Sequence, residues 1–398
     1  LEEAEKIWLS PPHMGQQEEN FVLQAFESNW IAPLGPHVNE FERDLESYNG
    51  VKHAVALSSG TSAIHVALTL EDIGPKDVVF CQSFTFCGSA NPIFYAGSNA
   101  VFIDSEPDTW NMDPDLLEQA IEDTLASDEG LTPKVIIPVH LYGMPAKMDR
   151  INAIASKYNM IVVEDAAESL GSTFMGKKTG SWGDYGIYSF NGNKIITTSG
   201  GGALVTSKPE KAKEALHLAT QARDEAPHYE HSKIGFNYRM SNVLAGIGRG
   251  QMRVLDLRVK QRRANFQRYV TFFENWNNLG LNIRFQIEKS DSHSNRWLTA
   301  ILVDPANNMG LSREDIRKHL LKHKIEARPL WKPMHQQPVF KGVKYYGRGV
   351  SDYLFENGLC LPSGSNLTDD NFDRIFEALS ELFKMKLRQQ KKQLSSEF

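Results

Sequence analysis

The sequence predicts an α/β fold: a large, mostly parallel sheet covered by helices on both faces, followed by a smaller α+β unit. Three observations carry this. From Val51 to Glu164, five short apolar runs alternate with amphipathic helical segments. The apolar runs are nearly continuous, as strands buried on both faces must be. Near Ser241 the alternation stops and a long helical pattern takes over. The chain has 398 residues, 41% hydrophobic and 23% charged, which suits a globular protein with more than one core. We expect a large domain over residues 1–252, with an N-terminal arm. Residues 253–398 are expected to form a connector helix and a small C-terminal domain.

In chain order, Pro11 and Pro12 keep Trp8–Gly15 from being helical. Glu18–Ser28 has helical spacing, with Phe21, Val22, Ala25 and Phe26 on one side. Asn29–Pro36 is a loop whose apolar residues, Trp30 among them, either pack or face a substrate. Strands are expected at Val51–Leu57, Asp77–Cys81, Ala100–Asp104, Val135–His140 and Met160–Glu164. Between them lie helices at Thr61–Leu70, Gly88–Tyr95, Pro114–Leu125 and Met148–Tyr158. Tyr185–Phe190 and Ala203–Thr206 follow closely enough for an antiparallel or crossover addition. Ser241 is placed to cap one helix running to about Trp276, with basic residues clustered from Arg253 to Arg268. Strands at Trp297–Val303, Glu326–Trp331 and Gly358–Leu361, with helices at Ser312–His323 and Asp370–Arg388, make up the small domain. The Lys/Gln-rich tail after Lys384 is expected to fray. One or both of the tips, Leu1 and the final Ser-Ser-Glu-Phe, are expected to be foreign to the natural chain, so neither enters the fold reading.

Several classes are disfavoured. A net charge of −6 gives no reason to expect nucleic acid or a membrane surface as partner. No apolar run approaches the ~20 residues of a membrane helix, and no secretory leader is read at the start. Cys81, Cys87 and Cys360 have no metal spacing, so reduced thiols in a cytoplasmic protein are expected. No metal site is expected either, since there is no Cys-x-x-Cys and no histidine pair is read at helical spacing. Gly200-Gly201-Gly202 lacks the strand–GxGxxG–helix context of a dinucleotide fingerprint.

The most informative stretch is Ser189–Gly202, where Lys194 stands between the turn Asn191-Gly192-Asn193 and two isoleucines. Alone it could be a solvated loop lysine. Upstream, however, the apolar strand Val162-Val163-Glu164 runs into Asp165. A lysine and an acid at two strand ends supply the two contacts that pyridoxal phosphate needs. The lysine holds the cofactor covalently, and the acid keeps the pyridine nitrogen protonated. Ser58-Ser59-Gly60-Thr61-Ser62 puts hydroxyls at a helix N-terminus, where a phosphate is favoured, although an ordinary cap looks the same.

Glu164-Asp165-Ala166-Ala167 and Ser189-Phe-Asn-Gly-Asn-Lys-Ile-Ile-Thr-Thr resemble signatures of the DegT/DnrJ/EryC1 sugar aminotransferases, and the resemblance spans about Trp8 to Lys384. It implies a fold-type-I pyridoxal-phosphate enzyme working as a homodimer with shared active sites. It assigns catalysis to Lys194 and Asp165. Gly60, Thr61, Ser62 and Ser189 become phosphate contacts, Phe86 stacks on the ring and Glu168 reaches the ring oxygen. Asn237, in Gly-Phe-Asn-Tyr-Arg, would reach the phosphate of the other subunit. Candidates for substrate contact are Trp30, His140, Tyr142, Arg239, Arg296, Arg328, Trp331 and Lys332, and Arg296-Trp297 could join the Arg328–His335 cluster of cations with an aromatic. His140 could equally be packed, and Arg239 could equally pair with a sheet carboxylate. The implied reaction moves an amino group, glutamate being the usual donor, to a nucleotide-linked keto sugar. Leu9–Gly15, Ser28–Gly35 and Arg328–Lys332 resemble the branch that aminates C4 of UDP-4-keto-6-deoxy-N-acetylglucosamine, on the way to bacillosamine-type glycans. GDP- or dTDP-linked sugars, and a silent regulatory module on the same fold, remain as alternatives. A dehydratase branch carries His in place of the lysine, which Lys194 argues against.

Overall fold

The computed structural model describes residues 5–396, so Leu1 and Glu397-Phe398 lie outside the described residues. Its centre is an eight-stranded sheet. The strands lie in the order His53–Leu57, Gly202–Thr206, Tyr185–Ser189, Ile161–Asp165, Thr132–Ile137, Asp77–Gln82, Asn99–Ile103 and Lys344–Tyr346. Gly202–Thr206 pairs antiparallel with both of its neighbours, while every other pairing is parallel. The short link from Tyr185–Ser189 to Gly202–Thr206 thus makes an antiparallel insertion. Parallel strands bring their carboxyl ends to one edge, so the turns after Leu57, Gln82, Asp165 and Ser189 converge there. The strands are buried on both sides by two apolar layers. One contains Ile64, Ala67 and Leu68 of helix Gly60–Leu70, and the other Leu117, Ile121 and Ile151 of the opposite face.

A four-stranded antiparallel sheet forms the smaller unit, in the order Arg284–Phe285, Thr299–Leu302, Gly358–Leu361, Arg328–Pro329. Its core joins Tyr269 and Phe273 of helix Leu255–Asn277 to Ile316 and Leu320 of Arg313–Lys322, and to Phe372, Ile375 and Leu379 of Asp369–Ser396. That last helix continues through the tail expected to fray.

Two segments cross the expected boundary at 252. Lys344–Tyr346 extends the large sheet beside Asn99–Ile103, and Ile7 bridges to Ile325 in the small unit. The single helix expected from Ser241 to Trp276 is two, Asn242–Met252 and Leu255–Asn277. Ser241 caps the first, its Oγ accepting from the Leu244 N–H at 3.3 Å. The break at Val254 (φ −115°, ψ 4°) redirects the second helix, whose Leu255 and Val259 share a core with Ala245 of the first while its Tyr269 and Phe273 enter the core of the small unit. The first packs so closely on helix Gln17–Glu27 that a Cβ on Gly250 would fall 2.7 Å from the Glu18 nitrogen. Helices Pro36–Asn49, Pro209–Ala219 and Val350–Asn357 were not anticipated from the sequence.

Candidate active site

The converging strand ends enclose a cleft of about 340 Å3. Its first wall is the turn after His53–Leu57. Ser59 caps helix Gly60–Leu70, its Oγ accepting from the Ser62 N–H at 3.0 Å while the Ser59 N–H donates to Ser62 Oγ at 3.0 Å. This reciprocal cap occupies the Ser62 hydroxyl, which does not line the cleft. Ser58, Ser59, Gly60, Thr61 and Ser189 do. Hydroxyls and free amides at a helix N-terminus form a donor set suited to a phosphate. The wall is tight from behind: a Cβ on Gly202 would lie 2.3 Å from the Ser59 carbonyl carbon and 2.4 Å from the Gly60 nitrogen.

Asp165 ends its strand facing the cleft, with only 5% of its surface exposed. Ser89 Oγ donates to its Oδ2 at 2.6 Å, and the Ala167 N–H donates to Oδ1 at 3.1 Å. Ser89 is itself linked to Thr85 Oγ1 at 2.8 Å. A carboxylate fixed in place by two donors is suited to accept from a protonated ring nitrogen. Phe86, half exposed at the start of helix Cys87–Tyr95, presents a flat apolar face to the same space. Hydroxyl-lined turn, buried acid, aromatic face and lysine together fit pyridoxal phosphate.

Lys194 sits on a turn closed by its own N–H to the Asn191 carbonyl at 2.9 Å. Its Nζ lies 3.4 Å from Glu168 Oε1 and 4.1 Å from the centroid of the Trp297 ring. The Asn193 carbonyl beside it accepts twice, from Trp297 Nε1 at 2.7 Å and from Ser10 Oγ at 2.7 Å. Behind both stands Arg262, fully buried, donating to the Trp297 carbonyl at 2.5 Å and to Ser10 Oγ at 3.0 Å. Burial, with help from the Arg258 charge, pushes the Arg262 guanidinium down to about 9. Glu168 receives the Tyr142 N–H on Oε2 at 2.7 Å. Burial pushes its carboxyl above the ordinary value, and the Lys194 charge opposes this.

Of the residues expected from the sequence, Gly60, Thr61, Phe86, Asp165, Glu168, Ser189, Lys194, Arg328 and Trp331 line the cleft. Others lie elsewhere. His140 is fully buried, bonded to Glu164 Oε1 at 2.7 Å and accepting from the Ala146 N–H at 2.9 Å, so it is packed and does not face substrate. Glu164 also accepts from the Gly180, Trp182 and Gly183 N–H groups, which explains the burial of that pair. Arg239 is engaged by Glu42 and the Ala56 carbonyl, the structural alternative of its two readings. Arg296 is buried against Glu288 at 2.9 Å and over the Phe266 ring. Tyr142 lies behind Glu168, its hydroxyl accepting from the Trp331 N–H at 2.9 Å. Trp30 and Lys332 are exposed, away from the cleft lining. Asn237 is exposed too and accepts from Gln221 Nε2 at 3.1 Å.

Ser89 and Asn193 were missed. Nothing in a lone serine on a helix, or in a backbone carbonyl, marks either in sequence. The histidine reading is also corrected: His319 and His323 stand four apart, at helical spacing, and meet Glu381.

The profile of the DegT/DnrJ/EryC1/StrS aminotransferase family matches residues 12–380. A relative in Bacillus subtilis (strain 168), named "Putative pyridoxal phosphate-dependent aminotransferase EpsN", is 52% identical over 95% of this chain and 96% of its own. GDP-perosamine synthase of Caulobacter vibrioides is 34% identical, covering 96% of this chain and 100% of that protein. Among solved structures, "Putative sugar aminotransferase Spr1654" of Streptococcus pneumoniae in its PLP form superposes with a TM-score of 0.84. It is 27% identical, over 96% of this chain and 100% of that one, and a PMP form matches equally.

Proposed function

Because the chain belongs to the DegT/DnrJ/EryC1/StrS family and is a pyridoxal-phosphate-dependent sugar aminotransferase of fold type I, we propose a specific substrate for it. This is a nucleotide-linked 4-keto-6-deoxy sugar, UDP-2-acetamido-2,6-dideoxy-4-keto-hexose, aminated at C4 with L-glutamate as donor. The observation that supports the nucleotide is the presence of both a cation and an aromatic in the cleft lining: Arg328, exposed and paired with Glu326 at 2.6 Å, and Trp331, whose ring meets Phe86. A guanidinium and an indole suit a diphosphate and a base or sugar face. The UDP branch is supported by resemblance in Leu9–Gly15, whose Ser10 holds the Asn193 carbonyl next to Lys194.

Pyridoxal phosphate, when bound, supplies an electron sink for the carbon that loses or gains the amine. The chain's own residues do the rest. Lys194 Nζ would anchor the cofactor covalently and, when free, would act as the base that moves a proton at that carbon. Asp165, held by Ser89, would accept from the protonated ring nitrogen. Ser59, Gly60, Thr61 and Ser189 would hold the phosphate, and Glu168 and Trp297 flank the lysine amine. In this reading residues 1–252 form the cofactor domain, and a homodimer completes each site with Asn237 of the other subunit. Among the described residues no helix is long and apolar enough to cross a membrane. The three free thiols suit a cytoplasmic enzyme.

A second reading takes a GDP-linked 4-keto sugar, which the relatives named GDP-perosamine synthase favour. A panel of UDP-, GDP- and dTDP-linked 4-keto-6-deoxy sugars, assayed with glutamate by 2-oxoglutarate release, separates the two. The UDP-linked N-acetyl sugar is expected to have the highest kcat/KM. A GDP-linked sugar in first place would establish the second reading instead.

A further inference from the structure

We propose that His319, His323 and Glu381 form a binding site for a zinc-class divalent cation on the small unit, separate from the cleft. His319 lies in helix Arg313–Lys322 and His323 is its C-terminal cap. Four residues of separation place the two rings one above the other on the same helix face. Their centroids are 4.8 Å apart. Glu381 comes from the facing helix Asp369–Ser396, its Oε2 lying 3.8 Å from His319 Nε2 and 3.6 Å from His323 Nε2. All three ligating atoms fall within 4.8 Å of one another. A tetrahedral zinc ion with bonds of 2.0–2.1 Å sets its ligand atoms about 3.3 Å apart, so modest side-chain movement closes the triad. Glu381 and His323 are exposed enough to make that movement, at 55% and 40%.

One observation distinguishes this cluster from an ordinary surface contact. His319 is 9% exposed, and its Nε2 is buried with no hydrogen-bond partner. A buried nitrogen without a partner is costly, and a metal bond would satisfy it.

The surroundings choose the ion. Lys322, Lys324 and Arg374 line the same depression as Glu377 and Glu381. Net negative charge is therefore lacking, and calcium or magnesium, which are held by oxygen ligands and charge, would be disfavoured. Two imidazoles with one carboxylate suit zinc, nickel or copper, with water in the remaining position. Bound there, the ion would staple helix Arg313–Lys322 to the C-terminal helix.

The test is calorimetric titration of zinc chloride into holoenzyme stripped with chelator and dialysed, as wild type, His323→Ala and Glu381→Gln. Both substitutions fall on partly exposed side chains outside the cleft. Wild type is expected to show one site per chain that each variant weakens by more than the ~10-fold typical of losing an outer-shell partner. Zinc should raise the thermal midpoint of wild type only, with transamination equal in all three. Binding should also weaken as pH falls through the histidine range. No zinc uptake by wild type at ~100 μM, or uptake by both variants equal to wild type, would overturn the proposal.

Discussion

The Lys194 ammonium lies 4.1 Å from the centroid of the Trp297 ring, and the Trp297 indole N–H donates to the carbonyl of Asn193, the residue before Lys194. One side chain thus positions both the head and the backbone of the lysine. A cation over an indole is attracted by about 0.5–2 kcal/mol according to its exposure, enough to bias a four-carbon chain toward one direction.

Lys194→Ala should abolish transamination and covalent retention of the cofactor. In wild type, borohydride reduction followed by peptide mapping should mark Lys194. A mark on any other lysine would contradict the assignment.

Asp165→Asn should lower kcat by ~10²-fold or more while the protein still retains cofactor. Ser89 can donate to the amide oxygen as it does to the carboxylate, so the position is kept and the charge is lost. Near-normal turnover at saturating cofactor would show that the acid is not needed.

Glu168→Gln should change how stability depends on pH in the cofactor-free protein. Burial raises the folded pKa of Glu168 above its ordinary 4.5, against the pull of Lys194. Between 4.5 and that raised value the folded state binds more protons than the unfolded one. The group's contribution is therefore full at low pH and is lost as pH rises through the window. The thermal midpoint of wild type relative to the Gln variant should fall across it. Parallel curves for the two proteins would refute this.

Gly202→Ala should destabilise the fold by ~1–3 kcal/mol and loosen the cofactor phosphate together, since its Cβ would meet the backbone of Ser59 and Gly60. Urea unfolding and cofactor dissociation measure the two effects. Tight cofactor binding in a destabilised variant would separate the turn from the phosphate.

Mixing Lys194→Ala with Asn237→Asp subunits tests the shared site. Each parent should be inactive, the Asp by repelling the phosphate. In a mixed dimer both defects fall in one site and leave the other whole, so activity should return toward ~half of one wild-type dimer. No recovery, with subunit exchange confirmed by native mass spectrometry, would place Asn237 in its own subunit's site or in none.

The large sheet was legible because its strands are nearly continuous apolar runs and its turns carry Ser59, Asp165 and Ser189 at their ends. Other features depend on partners that a sequence does not name. His140 and Arg239 have the residue types of a binding site, yet Glu164 and Glu42 consume them. The break at Val254 redirects the second helix toward the core around Tyr269 and Phe273, while the residues around the break would continue a helix. Trp297 reaches Lys194 from the small unit across 103 residues, and in the sequence it stood out only as an aromatic beside Arg296.

The strand Lys344–Tyr346 has a mechanical consequence. It is zipped along the edge of the large sheet beside Asn99–Ile103, and the Asp104 carboxylate grips the next turn through the Arg348, Val350 and Ser351 N–H groups. At the other end of the chain, Ile7 and Leu9 are tied to Ile325 and Glu326 of the small unit. The two lobes are therefore laced at both margins. Swinging them apart would tear main-chain pairings, so admission of a sugar substrate falls to side chains at the rim, such as Arg328, which is exposed and held by Glu326.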